Sequence, residues 1–297
     1  MRELSIIVTC TGRKTLVPGP GLSARDLPGV SLARRSDIWR DRVLGAPGPR
    51  RRLRDLYKGD AWKRSILLER HAASVGFRPT LYVASAGLGL RHVESEAPGY
   101  AATFTLTHED AVARTRLDAE RWWAERCVDA GATTIAELPS APTMVVMSAA
   151  YSAPLRGDIS RLAQSNPNVL VVGGEGEVAG ARRLPGNRSL RTELGGTMMS
   201  LNQRIAAAWL ERLDGRDLLA EDAFPEWYAW EAEVAKPEVW DRRPMSDDSV
   251  MTAIRSMRTA NPRLSRSEAL RTLRSSGFAC EQSRFGRLFA RAMEVTR

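Results

Sequence analysis

The chain has 297 residues, 43% hydrophobic and 27% charged, which suits a globular protein with one large domain, or a core domain plus a small appendage. No apolar run approaches the ~20 residues needed to cross a bilayer, and Met1-Arg2-Glu3-Leu4 leads into a strand with no secretory apolar segment before it. The formal net charge is +9, and the three cysteines, Cys10, Cys127 and Cys280, are odd in number and far apart, which argues against a disulfide framework or a zinc site and for a cytoplasmic protein with no metal or cofactor.

In chain order, four strands are predicted, at residues 4–10, 80–86, 143–149 and 168–173. Each is a short, continuous apolar run such as Ser5-Ile6-Ile7-Val8-Thr9-Cys10 or Leu81-Tyr82-Val83-Ala84, the pattern of buried parallel strands. Helical patterns separate them. Asp60 can cap a helix that stops at Gly76, Thr107 with Asp110 can open one that runs through Trp122 and Trp123 to Gly131, and Ser200 can cap Leu201–Leu210. Strands alternating with helices imply a three-layer α/β/α domain with a four-stranded, mainly parallel sheet over residues 1–215. Residues 16–53, rich in Pro, Gly and Arg, read as an irregular functional loop or a partly disordered one. Residues 216–245, with Trp227, Tyr228, Trp230 and Trp240 among acids and prolines, read as a linker packing on the core. Residues 246–297 read as a basic helical module, with a capping box at Ser265-Arg266-Ser267-Glu268 and arginines on the helices either side of Ser276-Gly277-Phe278.

Charge is concentrated in two segments. Residues 33–70 hold twelve Lys or Arg against five Asp or Glu, and residues 246–297 hold ten against five. Such clustering is the footprint of a polyanion partner, and nucleic acid is the expected one. Arg50, Arg51 and Arg52, the loop carrying Arg182, Arg183, Arg188 and Arg191, and Arg271 and Arg274 of the tail are the expected phosphate contacts. A plain basic surface is the alternative at each.

In open α/β sheets ligands bind at the carboxyl ends of the strands. The first strand ends in Cys10-Thr11-Gly12-Arg13-Lys14 and the second in Ser85-Ala86-Gly87, turns whose backbone N–H groups suit an anion. Neither is a Walker loop nor a dinucleotide fingerprint. Ser85 and Ser148, at equivalent strand tips, are candidate donors to a base or sugar, or simple turn residues. His92 is the one histidine placed near the site. Cys10 is a candidate thiolate or a small buried residue. Hydrolysis would require a carboxylate, and the acids nearest the tips are Glu94 and Glu96 after the second strand, Asp158 after the third and Glu175 and Glu177 after the fourth, with Asp55 before the first crossover helix; each alone also reads as a solvated surface acid.

Val8-Thr9-Cys10-Thr11-Gly12-Arg13-Lys14, Asp55-Leu56-Tyr57, Ser85-Ala86-Gly87-Leu88-Gly89-Leu90 and Pro98-Gly99-Tyr100, in that order, resemble the YaaA-like bacterial proteins. That group is similar in fold to uracil-DNA glycosylases. Length and the basic tail resemble, within it, the bacteriophage replication inhibition DNA glycosylases, which remove glucosylated hydroxymethylcytosine from phage DNA. The resemblance spans about residues 4–210. It implies a metal-free, monomeric enzyme that flips a modified base out of the DNA stack, with Tyr57 or Tyr100 stacking on it. The turn after the first strand lacks the water-activating Asp of uracil-DNA glycosylases, and the His-containing segment after the last strand is replaced by Gly173-Gly174-Glu175. The carboxylate must therefore come from elsewhere, Glu175 or Asp55 first and Glu94 or Glu96 next. A non-catalytic DNA-binding protein acting through its tail, and an enzyme processing free nucleotides or bases, are the alternatives.

Overall fold

A computed structural model describes residues 2–237 and 242–294; Trp240 lies outside them. The chain divides into two units, Met1–Pro237 and Glu238–Arg297. The elements of the first unit are β1 (Arg2–Thr9), α1 (Leu32–Leu44), β2 (Arg51–Arg52), α2 (Leu53–Leu56), α3 (Asp60–Ser74), β3 (Phe77–Ser85), β4 (Gly89–His92), β5 (Glu96–Ala97), α4 (Arg116–Cys127), β6 (Thr143–Met147), α5 (Ser152–Ser165), β7 (Val169–Gly173), β8 (Arg182–Leu184), α6 (Arg191–Leu194), α7 (Leu201–Arg212) and α8 (Ala223–Val234).

The fold is mixed α/β around a mainly parallel central sheet. The sheet has six strands in the order β4-β3-β1-β6-β7-β8, not four. The four expected strands form its parallel middle, with β1 between β3 and β6. Ile6, Ile7, Val8, Leu81, Val83, Val145, Val146 and Val171 are all fully buried, as strands covered on both faces must be.

The two added strands escape a search for apolar runs. β4 turns back antiparallel on β3, with Ser85 opposite Gly89. Gly89 adopts φ +72°, and a Cβ there would meet the Arg126 carbonyl oxygen at 2.5 Å, so the hairpin requires glycine on both counts. β8, Arg182-Arg183-Leu184, is a charged edge strand parallel to β7, the composition that blunts a sheet edge.

Two helices also depart from expectation. Residues 16–53 contain α1, capped by Ser31, whose hydroxyl accepts from the Arg34 N–H. Its buried stripe, Ser36, Trp39 and Val43, keeps helical spacing, but arginines and flanking prolines obscure it. Helix α4 opens at Thr115, whose hydroxyl accepts from the Asp118 N–H at 3.1 Å, rather than at Thr107. Asp110 is instead buried and bound by Arg25, so the Thr107–Asp110 pair makes no cap.

Helix α3 packs against α7 and β3, while α4 packs against α1 and α5. The segment 216–245 carries α8, whose Trp227 is buried against Trp209 of α7 at 5.8 Å between ring centroids. Arg212 covers the Trp230 ring at 3.7 Å.

The second unit contains β9 (Arg243–Pro244), α9 (Asp247–Ala260), α10 (Arg266–Ser275), β10 (Phe278–Ala279) and α11 (Gln282–Glu294), with β9 and β10 paired in parallel. The capping box at Ser265 and Glu268 is present. Three helices rather than two bury Val250, Ile254, Leu270, Leu273, Phe285 and Leu288 together.

Candidate functional site

From β1 the chain moves to β3 on one side, then returns past β1 to β6 on the other. The order reverses between β1 and β6, and the crevice beyond their carboxyl ends is where doubly wound sheets bind ligands. Three loops meet there. Cys10 follows β1, Ser85 ends β3, and Tyr151 lies between β6 and α5.

Their side chains form a buried polar cluster. The Cys10 Sγ and Tyr151 hydroxyl lie 3.1 Å apart across the crevice, and the Tyr151 hydroxyl accepts the Ala86 N–H at 3.3 Å. The Tyr100 hydroxyl shares hydrogen bonds of 2.5 Å with both the Tyr57 hydroxyl and the Ser85 hydroxyl. Lys14 donates to the Thr11 carbonyl at 3.3 Å, and its ammonium lies 4.0 Å from the centre of the Tyr100 ring and 5.4 Å from that of Tyr57. Burial lowers the Lys14 pKa, partly offset by Cys10 and Asp110; the two rings supply favourable cation–π contact.

The structure thus gathers Cys10, Lys14, Tyr57, Ser85 and Tyr100, and adds Tyr151, which sequence reasoning missed because it falls in a short turn after β6. It also corrects their roles. Tyr57, Ser85 and Tyr100 are 2%, 0% and 1% exposed, so neither tyrosine presents a face on which a base could stack. The Gly87 N–H donates to Ser85 Oγ, its carbonyl accepts from the Trp39 indole, and the Ala86 carbonyl accepts from the Trp122 indole. These groups of the Ser85–Leu88 turn are consumed internally and do not face an anion. The Thr11 hydroxyl donates to the Arg13 and Lys58 carbonyls, fixing the turn after β1. Ser148 is exposed just beyond β6, where its carbonyl accepts the Tyr151 N–H. His92 pairs with Tyr82, three residues before the tip of β3. At ~3.3 Å per residue this places it about 10 Å from the strand end, stacked edge-on against Tyr82 and outside the cluster.

Burial raises the pKa values of Tyr57, Tyr100 and Tyr151 well above the usual 10.0, with the Cys10 charge acting in the same direction. In the unfolded chain these phenols ionise near pH 10. The stability they confer is therefore complete below pH 10 and is lost as pH rises above it. Lys14 acts with the opposite sign, since its lowered pKa favours the folded state as pH rises toward 10.5. An alkaline titration should show three of the five tyrosines forming phenolate only together with the loss of circular dichroism. Phenolate signal from all five before unfolding would contradict the sealed cluster.

The four candidate acids separate. Asp55 is exposed on α2. Glu94 is bound by Arg54 at 2.6 Å, and that bond holds its carboxyl below the usual range. Glu96 is exposed on β5, opposite Arg52. Glu175 follows β7 and lines a pocket of about 220 Å³ with Phe104, Leu106, Arg116, Ser152 and Arg156. Its N–H donates to Ser152 Oγ at 2.6 Å, and its carboxylate faces Arg116 at 3.4 Å. Phe104 packs edge-on against Tyr151 at 5.1 Å, which joins the pocket to the sealed cluster.

The arginines divide similarly. Arg183 donates to the Gly173 and Gly174 carbonyls and Arg274 to the Cys280 carbonyl. Arg182 covers the Phe224 ring and pairs with Glu221. Arg50 donates to the Val43 carbonyl, Arg52 pairs with Glu94, and Arg191 donates to the Gly196 carbonyl. Arg51, Arg188 and Arg271 are exposed.

Comparison with protein-family models, curated proteins and solved structures gave no match. No helix among the described residues is long and apolar enough to cross a membrane.

Proposed function

We propose that the chain is a DNA glycosylase that excises a modified cytosine, glucosylated hydroxymethylcytosine by the resemblance, from phage DNA. In this reading the two helical groups make the outer layers of a three-layer α/β/α domain, and the enzyme works as a cytoplasmic monomer. The observation that carries it is the position of Glu175, in a pocket at the carboxyl end of the central strands where Asp55, Glu94 and Glu96 do not reach. At about 220 Å³ the pocket is smaller than the ~300–1,000 Å³ of sites that enclose whole drug-sized ligands, and so takes the flipped pyrimidine ring and leaves the glucose of the modified base outside it. The sealed cluster beneath it contributes rigidity rather than chemistry.

The chemistry assigned to these residues is a hydrolysis. A flipped base enters beside Phe104 and Leu106. As the N-glycosidic bond breaks, its electron pair leaves with the base, and the Glu175 carboxylate stabilises the cationic sugar. The carboxylate takes a proton from the attacking water, whose oxygen bonds to C1′. Arg116 and Arg156 offer positive charge to the departing base.

Duplexes with cytosine, hydroxymethylcytosine or its glucosylated form, incubated with the protein and then treated with alkali, test the reading. Alkali-dependent cuts at the modified positions are expected. Intact DNA with cleavage of free nucleotides would move the assignment to a nucleotide-processing enzyme.

A further inference from the structure

A second cavity adjoins the pocket. It encloses about 640 Å³ between residues 24–35 and 106–118, and Leu106 belongs to the wall of both. Its ionisable lining is Arg25, Arg35, His108, Glu109, Arg114 and Asp118.

These groups differ in how far they are already committed. Arg25 is bound by Asp110, through Nε at 2.8 Å and through its terminal nitrogen, and by Glu109 at 2.6 Å. Asp118 accepts the Thr115 hydroxyl at 2.8 Å at the start of α4. Arg35, half-buried on α1, makes a single hydrogen bond, to the Val112 carbonyl at 3.3 Å. Arg114 has no hydrogen-bond or ion-pair partner among the described residues. Burial and the Arg114 charge lower the Arg35 pKa, with Asp118 opposing. Two guanidinium groups therefore share one cleft with most of their donors unused, an arrangement that a bound anion relieves.

We propose that this cleft binds a phosphodiester of the DNA strand, with Arg35 and Arg114 donating to its nonbridging oxygens. The inference rests on the DNA reading above and names where that strand is gripped. A nucleotide whose base occupies the pocket has its phosphates one sugar away, and the shared Leu106 wall puts the cationic cleft next to the base. Arg35 falls within the basic segment 33–70, whereas Arg114 lies outside both basic segments.

The test measures binding of a fluorescent duplex to the full chain across a salt series, for the wild type, R35Q, R114Q and the double variant. R78Q, at the opposite end of the sheet beside Glu3, is the control. Each lost phosphate contact is expected to lower the slope of log K against log salt by about 0.9. R114Q should show this with an unchanged melting temperature, since Arg114 has no partner to lose, and the double variant should bind about tenfold or more weaker at low salt. Wild-type slope and affinity in both R114Q and the double variant would overturn the proposal. So would binding of inorganic phosphate by the wild type that is lost in the double variant while DNA binding stays intact, which would make the cleft a free-anion site. Base release measured on the same proteins separates the two ideas. Release with arginine-independent binding sinks the cleft alone, whereas arginine-dependent binding without release sinks the glycosylase alone.

Discussion

Glu175→Gln is expected to slow base release by about 10²–10⁴-fold, the range for removing a positioned acid–base group, while leaving DNA binding and melting temperature unchanged. The carboxylate is exposed and makes one long ion pair, to Arg116 at 3.4 Å, so its loss removes little that holds the fold together. The neutral amide keeps the shape and loses both the charge that would stabilise the sugar cation and the base that would take the water proton. Asp55→Asn and Glu96→Gln are expected to retain the wild-type rate, because neither acid lines the pocket. Single-turnover release of base under excess enzyme checks all three. A wild-type rate for Glu175→Gln, with a collapse in either of the others, would place the catalytic carboxylate elsewhere.

The largest expected loss of stability comes from one methyl group. Gly87→Ala would put a Cβ 2.5 Å from Tyr100 Cε2, 2.8 Å from its Cδ2 and 3.2 Å from Trp39 Cζ2. A flexible side chain could move aside, but Tyr100 is held by hydrogen bonds of 2.5 Å to Tyr57 and Ser85, and Trp39 is fixed to the Gly87 carbonyl at 2.8 Å. Relief requires shifting a ring and breaking a buried hydrogen bond. The combined cost is about 3 kcal/mol or more, from overpacking and one unsatisfied buried polar group, a large share of a typical ~5–15 kcal/mol. Ser85→Ala, which leaves the Tyr100 hydroxyl bonded to Tyr57 alone and takes the acceptor from the Gly87 N–H without creating a clash, should cost less, about 1–3 kcal/mol. Urea unfolding of both variants measures this. A Gly87→Ala midpoint equal to wild type would show that the turn has room the geometry denies it.

The central sheet was legible because buried parallel strands announce themselves as short apolar runs, as in Ile6-Ile7-Val8 and Val145-Val146. What escaped lacks that signal. β8 begins with two arginines, and β4 begins at the glycine of its own hairpin. Trp39 and Val43 of α1 are scattered among charged neighbours. Two Thr-x-x-Asp pairs, at 107–110 and 115–118, are equivalent as sequence. Only the Arg25 pairing of Asp110, eighty-five residues away in the chain, removes the first from capping.

The candidate site was legible as a list and illegible as an arrangement. Cys10, Lys14, Tyr57, Ser85 and Tyr100 all meet at the strand tips, but no local pattern reveals that three of them are sealed and bonded to one another. Burial turns residues read as substrate contacts into supports. Tyr151 and Phe104, which connect that support to the pocket, lie in segments with no motif. Arg35 and Arg114 were hidden for a different reason. In sequence each is one arginine among many, and only the shared cavity distinguishes them.

The central claim is cleavage of an N-glycosidic bond, and mass spectrometry of the small molecules released from glucosylated hydroxymethylcytosine duplex tests it most directly. The account predicts the free modified base, no free nucleotide, and no release by Glu175→Gln. An empty small-molecule fraction from a protein that binds the duplex tightly would contradict it and leave a DNA-binding protein without chemistry at this pocket.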